Sequence, residues 1–303
     1  MSTNHVDEQL SLHRKLGVTR PPEKVTQEAF EGNDRHLQRL VRLHPGEVAD
    51  GNDLWEYIHD LRYTEIQNAL LVYLLPFCLK AWRDDLRGIQ GHGGTIEHFY
   101  AVLADRHIFD SHLSESQGEA VSEFMRQAIL EEIDDQRGLA FHGSKSKPYR
   151  WFRALTTYAV IRPDLDRLWN RWWTLETVGR AVAAIQYISC LMYSENENPV
   201  FAPWTPDGGG GPPVLWEFEG HLYSHRWLQP NVEFLKETLT LQRVGKVLAS
   251  AAGQLAGEPE HDIATTVQDD FRLCDTTVRL RCSELPRLLE TVQDSSTALS
   301  WSA

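Results

Sequence analysis

The stretch ENENPVFAPWTPDGGGGPP, residues 195–213, holds five of the chain's fourteen prolines and four consecutive glycines. Proline removes a backbone donor and glycine loses the most conformational freedom on ordering, so neither a helix nor a central strand runs through it. It reads as a long surface loop or linker, with a longer part of the chain before it and a shorter part after.

Before the linker the apolar positions recur at helical spacing. Pro21-Pro22 opens a helical pattern through PEKVTQEAFEGNDRHLQRLVRL, which His44-Pro45-Gly46 ends. From Leu54 the positions Ile58, Leu61, Ile66, Ala69, Leu70, Tyr73 and Phe77 continue the period, with Pro76 predicting a kink or two abutting helices. SESQ at 114–117 is a capping-box pattern. Behind it Val121, Phe124, Met125, Ala128, Ile129 and Ile133 form one apolar stripe, with Glu131, Glu132, Asp134 and Asp135 expected on a solvated face. Pro163 begins a further helix, DLDRLWNRWWTLETVGRAVAAIQYISCLMY, apolar nearly all round in its second half and therefore expected between other helices. Trp169, Trp172 and Trp173 along it are read as packing anchors.

Beyond the linker the period becomes two. PVLWEF and HLYSHRWL flank Glu219-Gly220 as a hairpin. A helix is expected over about 232–255, then IATTV, FRLC and TVRLRC as strands, then SELPRLLETV as a final helix capped by Ser283. The expected fold is mainly α, a multi-helix body with a smaller C-terminal α+β unit of antiparallel hairpins plus two helices. Its parts are a loose N-terminal segment (1–20), the helical body (21–194), the linker (195–213), the α+β unit (214–294) and a loose tail (295–303).

A formal net charge of −13 and a pI near 5.4 oppose binding to nucleic acid or to anionic lipid, since both require basic patches. The most apolar run, ALLVYLLPFCL at 69–79, is about half a membrane span and reads as a core helix. The polar start MSTNHVDEQLSLHRK does not read as a secretory signal. Cys78, Cys190, Cys274 and Cys282 form no CxxC pair, so reduced thiols and a cytoplasmic setting are expected. A chain of 303 residues buries enough surface to need no cofactor for stability, and none is expected.

GHGGTIEHFYAVLADRHIFDSH at 91–112 concentrates four of thirteen histidines. With Thr95 as a helix cap, Ile96, Phe99, Tyr100 and Leu103 share an arc that His107 extends inward, while His98 and Asp105 point to the opposite side. Such side chains cannot share a zinc ion, and no metal site is expected. The glycine-rich approach could cradle an anion, but it lacks a Walker lysine and GxGxxG, so helix stop and hinge is the preferred reading.

GxSxG, HExxH, EF-hand and kinase signatures are missing. The candidate contact residues are instead Trp216, His221, Tyr223, His225 and Trp227, which two-residue alternation places on one face of the hairpin. That face either packs in the core or meets a partner by stacking and imidazole hydrogen bonds.

Leu75-Pro76 within LLVYLLPFCLKAW, followed by Leu113, Gln117, Val121 and Phe124 in LSESQGEAVSEFM, resembles an uncharacterised family of small bacterial domains over residues 54–133. In that family a Leu-Pro segment precedes Leu-x-x-x-Gln-x-x-x-Val-x-x-Phe-Leu; Met125 stands here where it prefers leucine. The resemblance implies no activity, cofactor or catalytic residue. The function expected is a non-enzymatic module binding a protein or small ligand, the alternative being an enzyme such as a hydrolase with its site between helical body and C-terminal unit.

Overall fold

The computed structural model of the chain describes residues 3–88, 95–139, 147–193 and 227–291. Every regular element among them is helical: α1 (Thr3–Leu16), α2 (Arg35–Leu40), α3 (Gly51–Tyr63), α4 (Asn68–Leu86), α5 (Thr95–Asp105), α6 (Ile108–Ser111) and α7 (Glu115–Asp134). There follow α8 (Lys147–Ile161), α9 (Leu165–Trp172), α10 (Val178–Met192), α11 (Gln229–Thr238), α12 (Leu241–Gln254), α13 (His261–Phe271) and α14 (Asp275–Thr291). None of these helices is long and apolar enough to cross a membrane. Two compact units divide inside α7, one of residues 1–128 and one of residues 129–303.

In the first unit α4 is the core element. Leu70 through Leu79 are all buried, and α1, α3 and α5 pack against the helix. Pro76 lies inside this one continuous helix; the chain breaks earlier, at residues 64–67, where α3 ends and Gln67 precedes α4. Where a loose N-terminal segment is expected, α1 instead buries Leu12 and Leu16. The long helix expected from Pro22 contracts to α2. Gln67 explains part of this, because its Oε1 accepts the backbone N–H of Thr26 at 2.8 Å and its Nε2 donates to the carbonyl of Lys24 at 2.7 Å. Gly32, at φ 72°, then takes a left-handed conformation that ends any helical path into α2. The capping box of α7 forms as its sequence dictates: Ser114 Oγ accepts from Gln117 N–H at 3.3 Å, and Gln117 Oε1 accepts from Ser114 N–H at 3.0 Å.

In the second unit α10 is buried along its whole length from Gly179 to Met192 and packs against α12, α13 and α14. The helix expected after Pro163 is two helices. Leu175 adopts φ 57°, and Thr177 then caps α10 by accepting the N–H of Arg180 at 3.2 Å. Thr240 does the same for α12 through Arg243 N–H at 3.3 Å, dividing the helix expected over 232–255. Glu132 is buried rather than solvated, and Asp134 binds Arg180 Nε at 2.8 Å.

The C-terminal strands are not supported among the described residues. IATTV lies in α13, and TVRLRC in α14, which also absorbs the separate final helix. The alternation that suggests a strand groups Val278, Leu280 and Cys282, but Val278 and Cys282 are buried while Leu280 is 53% exposed. Val278, Cys282, Leu285 and Leu289 are buried, and spacings of four, three and four residues make them one helical stripe. Ser283 Oγ donates back to the Leu280 carbonyl at 2.7 Å within the helix and caps nothing.

Candidate functional site

Of the hairpin residues, Trp216, His221, Tyr223 and His225 lie outside the described residues. Trp227 lies within them and is buried, just before α11. In the histidine-rich segment Phe99, Tyr100 and Leu103 form the buried arc that the helical period requires. His107 does not extend it: α5 ends at Asp105, and His107 is exposed in a left-handed conformation at φ 48°. His112 is bound to Asn68 Oδ1 at 2.5 Å, while His92 and the His98 side chain fall outside what is described. No group of three or more His, Cys, Asp or Glu among the described residues could hold a metal ion.

Among the described residues, a different surface carries exposed aromatic area. Asp50 caps α3 by accepting the N–H groups of Asn52 and Asp53 at 2.9 and 3.3 Å. Leu54, Tyr57, Ile58 and Leu61 then face the core. The same period turns Trp55, His59 and Tyr63 outward on a second stripe, because residues four apart on a helix are surface neighbours. The Trp55 and His59 rings stack at 5.4 Å and 18°, His59 and Tyr63 lie 4.8 Å apart, and Phe30 closes against Tyr63 at 4.7 Å. Phe30, Trp55 and Tyr63 are 53%, 38% and 49% exposed. These exposed rings are gathered into one patch rather than scattered singly over the surface.

Beneath this ladder lies a polar latch. His36 of α2 is 2% exposed, and its Nε2 meets Asp60 Oδ2 at 2.6 Å. The other oxygen of Asp60 accepts the backbone N–H of Phe30 at 2.9 Å, so one buried carboxylate fixes both α2 and the loop residue that completes the ladder. Glu56 Oε2 comes within 3.1 Å of His36 Nδ1 without making a hydrogen bond to it, and acts there by charge. Arg39 and Asp53 add a bidentate pair between the same two helices.

Burial alone would lower the pKa of His36. The hydrogen bond to Asp60 and the charges of Asp60, Glu56 and Asp53 outweigh it, and the imidazole titrates above its ordinary value. A raised histidine pKa contributes stability that is complete below the unfolded value, about 6.5, and is lost as pH rises through the folded value. Urea unfolding of the wild type and of His36→Gln across pH 5.5 to 8.5 should therefore show a stability gap that narrows as pH rises. A gap independent of pH would remove the imidazolium from the latch.

Imidazole beside carboxylate is also the chemistry of general acid–base catalysis, but here the ring is buried, with Nε2 held by Asp60 and Nδ1 facing Glu56. The notch at the ladder's foot has a volume of about 100 Å³ and is walled by Asn33, His36, Trp55, Glu56, His59 and Asp60, with Ala29 and Glu31. Small-molecule sites run to roughly 300–1,000 Å³. None of these walls is a serine, threonine or cysteine that could act as nucleophile. Burial meanwhile pushes the thiols of Cys78 and Cys282 up to about 12, so neither is a thiolate near neutral pH.

Comparisons with protein-family models, with curated proteins and with solved structures find no match. The positions that carry the resemblance over 54–133 have packing and capping roles: Leu75, Pro76 and Val121 are buried, and Gln117 completes the capping box.

The ladder has a sequence signal, the repeat Trp-x-x-x-His-x-x-x-Tyr at 55, 59 and 63. It is masked by the apolar set that interleaves it. Phe30 has none, since its place depends on Asp60 thirty residues away.

Proposed function

We propose that this protein is an interaction module and that the Phe30–Trp55–His59–Tyr63 ladder is its contact surface. The observation that carries the reading is the exposed stack itself, held by a buried latch. Tryptophan and tyrosine are the side chains most enriched among the residues that dominate binding energy, and a pre-set stack loses little freedom on association. A net charge of −13 supports a partner that is neither nucleic acid nor an anionic membrane. Four free cysteines fit a reducing, cytoplasmic setting.

The test pairs stability with capture. Trp55→Ala combined with Tyr63→Ala should change unfolding by only about 1 kcal/mol for each lost ring contact, since both rings are already half in water. The same double variant, tagged and used as bait against extract of the native host, should lose a partner that the wild type retains. A partner held equally by both would move the contact surface elsewhere on the chain.

A further inference from the structure

Three features of the notch bear on what it can receive. Its volume of about 100 Å³ has room for the end of one side chain and not for a cofactor. Glu31, Glu56 and Asp60 contribute three carboxylates to its walls, His36 and His59 are the wall residues that can oppose them with a positive charge, and no lysine or arginine lines it. Trp55, the best of the aromatic rings for attracting a cation, forms another wall. The charge of Glu56 is available, since its side chain is 47% exposed, and it is kept at the notch by His36, whose buried Nδ1 makes no hydrogen bond of its own. At the far end of the ladder the chain displays the matching interaction, with the Arg62 guanidinium 5.6 Å from the centre of the Tyr63 ring.

Resting on the reading of the ladder as a contact surface, we infer that the notch receives an arginine side chain from a partner protein, its guanidinium over Trp55 and its N–H groups on Glu56 and Glu31. Arginine fits better than lysine because a planar guanidinium stacks on an indole while donating two parallel bonds to a carboxylate, which a compact ammonium cannot do. A free metal ion is a poorer occupant, since the carboxylates do not converge into a metal-holding group.

The experiment uses the full chain with 15N-labelled indoles, the Trp55 Nε1–H resonance being assigned by its loss in Trp55→Phe. N-acetyl-arginine amide is titrated in, against N-acetyl-citrulline amide as the neutral analogue of the same shape and N-acetyl-lysine amide as the other cation. The expected result is a saturable shift of the Trp55 resonance with the arginine compound alone, weakened roughly threefold or more in Glu56→Gln. The thermal midpoint of Glu56→Gln, measured in parallel, should fall only slightly, since Asp60 keeps the hydrogen bond to His36 that Glu56 supports by charge alone. An equal response to citrulline, or none at Trp55, would overturn the inference, and equal binding of lysine would overturn the choice of arginine. If the arginine compound fails while the Trp55 and Tyr63 double variant still loses its partner, the ladder stands and only the guanidinium assignment falls.

Discussion

Trp172→Ala should destabilise the second unit by about 3 to 5 kcal/mol, the cost of deleting a large buried aromatic whose site cannot collapse. Trp172 is fully buried, and around it Trp151 lies at 4.9 Å, Trp169 at 5.1 Å and Tyr187 at 5.7 Å between ring centres, all tilted or edge-on. Those angles put ring edges against ring faces, the arrangement aromatic quadrupoles favour. A methyl group in place of the indole leaves a void bounded by rigid rings, which have few rotamers with which to fill it. The indole also donates from Nε1 to the Arg180 carbonyl at 3.2 Å, so α9 and α10 lose a polar tie as well. Trp169 is a useful contrast, because its buried Nε1 has no hydrogen-bond partner. Trp172→Phe should therefore cost more than Trp169→Phe, by about 1 kcal/mol for the hydrogen bond. Denaturant unfolding followed by near-ultraviolet circular dichroism reads all three variants. A Trp172→Ala loss under about 1 kcal/mol would mean that the cluster is not close-packed.

The helical body is legible because its signals are local and agree with one another. At the start of α7 the capping residues, the acidic first turn and the apolar stripe all point to one helix, and Ser114, Glu115 and Met125 take the places those signals assign. Helix breaks are harder to read, because a four-residue gap can preserve the apolar phase. Thr177 and Thr240 are the physical markers, each a good N-cap buried in a longer periodic run. The false strands fail for another reason. In windows of four to six residues such as TVRLRC, an alternating pattern and a helical one share two of three apolar positions, and only the continuation to Leu285 and Leu289 distinguishes them. His107 misleads differently again, since its direction depends on α5 persisting, and α5 stops two residues earlier. The latch is the least legible feature. Asp60, His36 and Phe30 come from three separate stretches, and neither spacing nor composition announces that one carboxylate serves both others.

Gly179→Ala should be nearly as damaging as loss of a core aromatic, although alanine is the better helix former. In an exposed helix interior the exchange stabilises by roughly 0.5–1 kcal/mol, because alanine has less backbone freedom to lose. At Gly179 the added methyl carbon would lie 2.1 Å from the carbonyl oxygen of Asp134 and 2.6 Å from that of Ile133. Both are backbone atoms at the end of α7 and cannot rotate aside. Relief requires α7 and α10 to separate, and two short contacts oppose that: Thr177 Oγ1 donates to Asp134 Oδ1 at 2.6 Å, and Arg180 Nε donates to the same oxygen at 2.8 Å. The overlap therefore outweighs the propensity gain, and the net cost should reach about 3 kcal/mol, the upper end for overpacking. Gly253→Ala is the matched control, since Gly253 lies in α12 with no atom within 4 Å of an added methyl carbon, and it should stabilise by the full propensity gain. Denaturant midpoints of the two variants should thus move in opposite directions from the wild type. A Gly179→Ala protein as stable as the wild type would show that α10 does not cross the end of α7 at backbone contact.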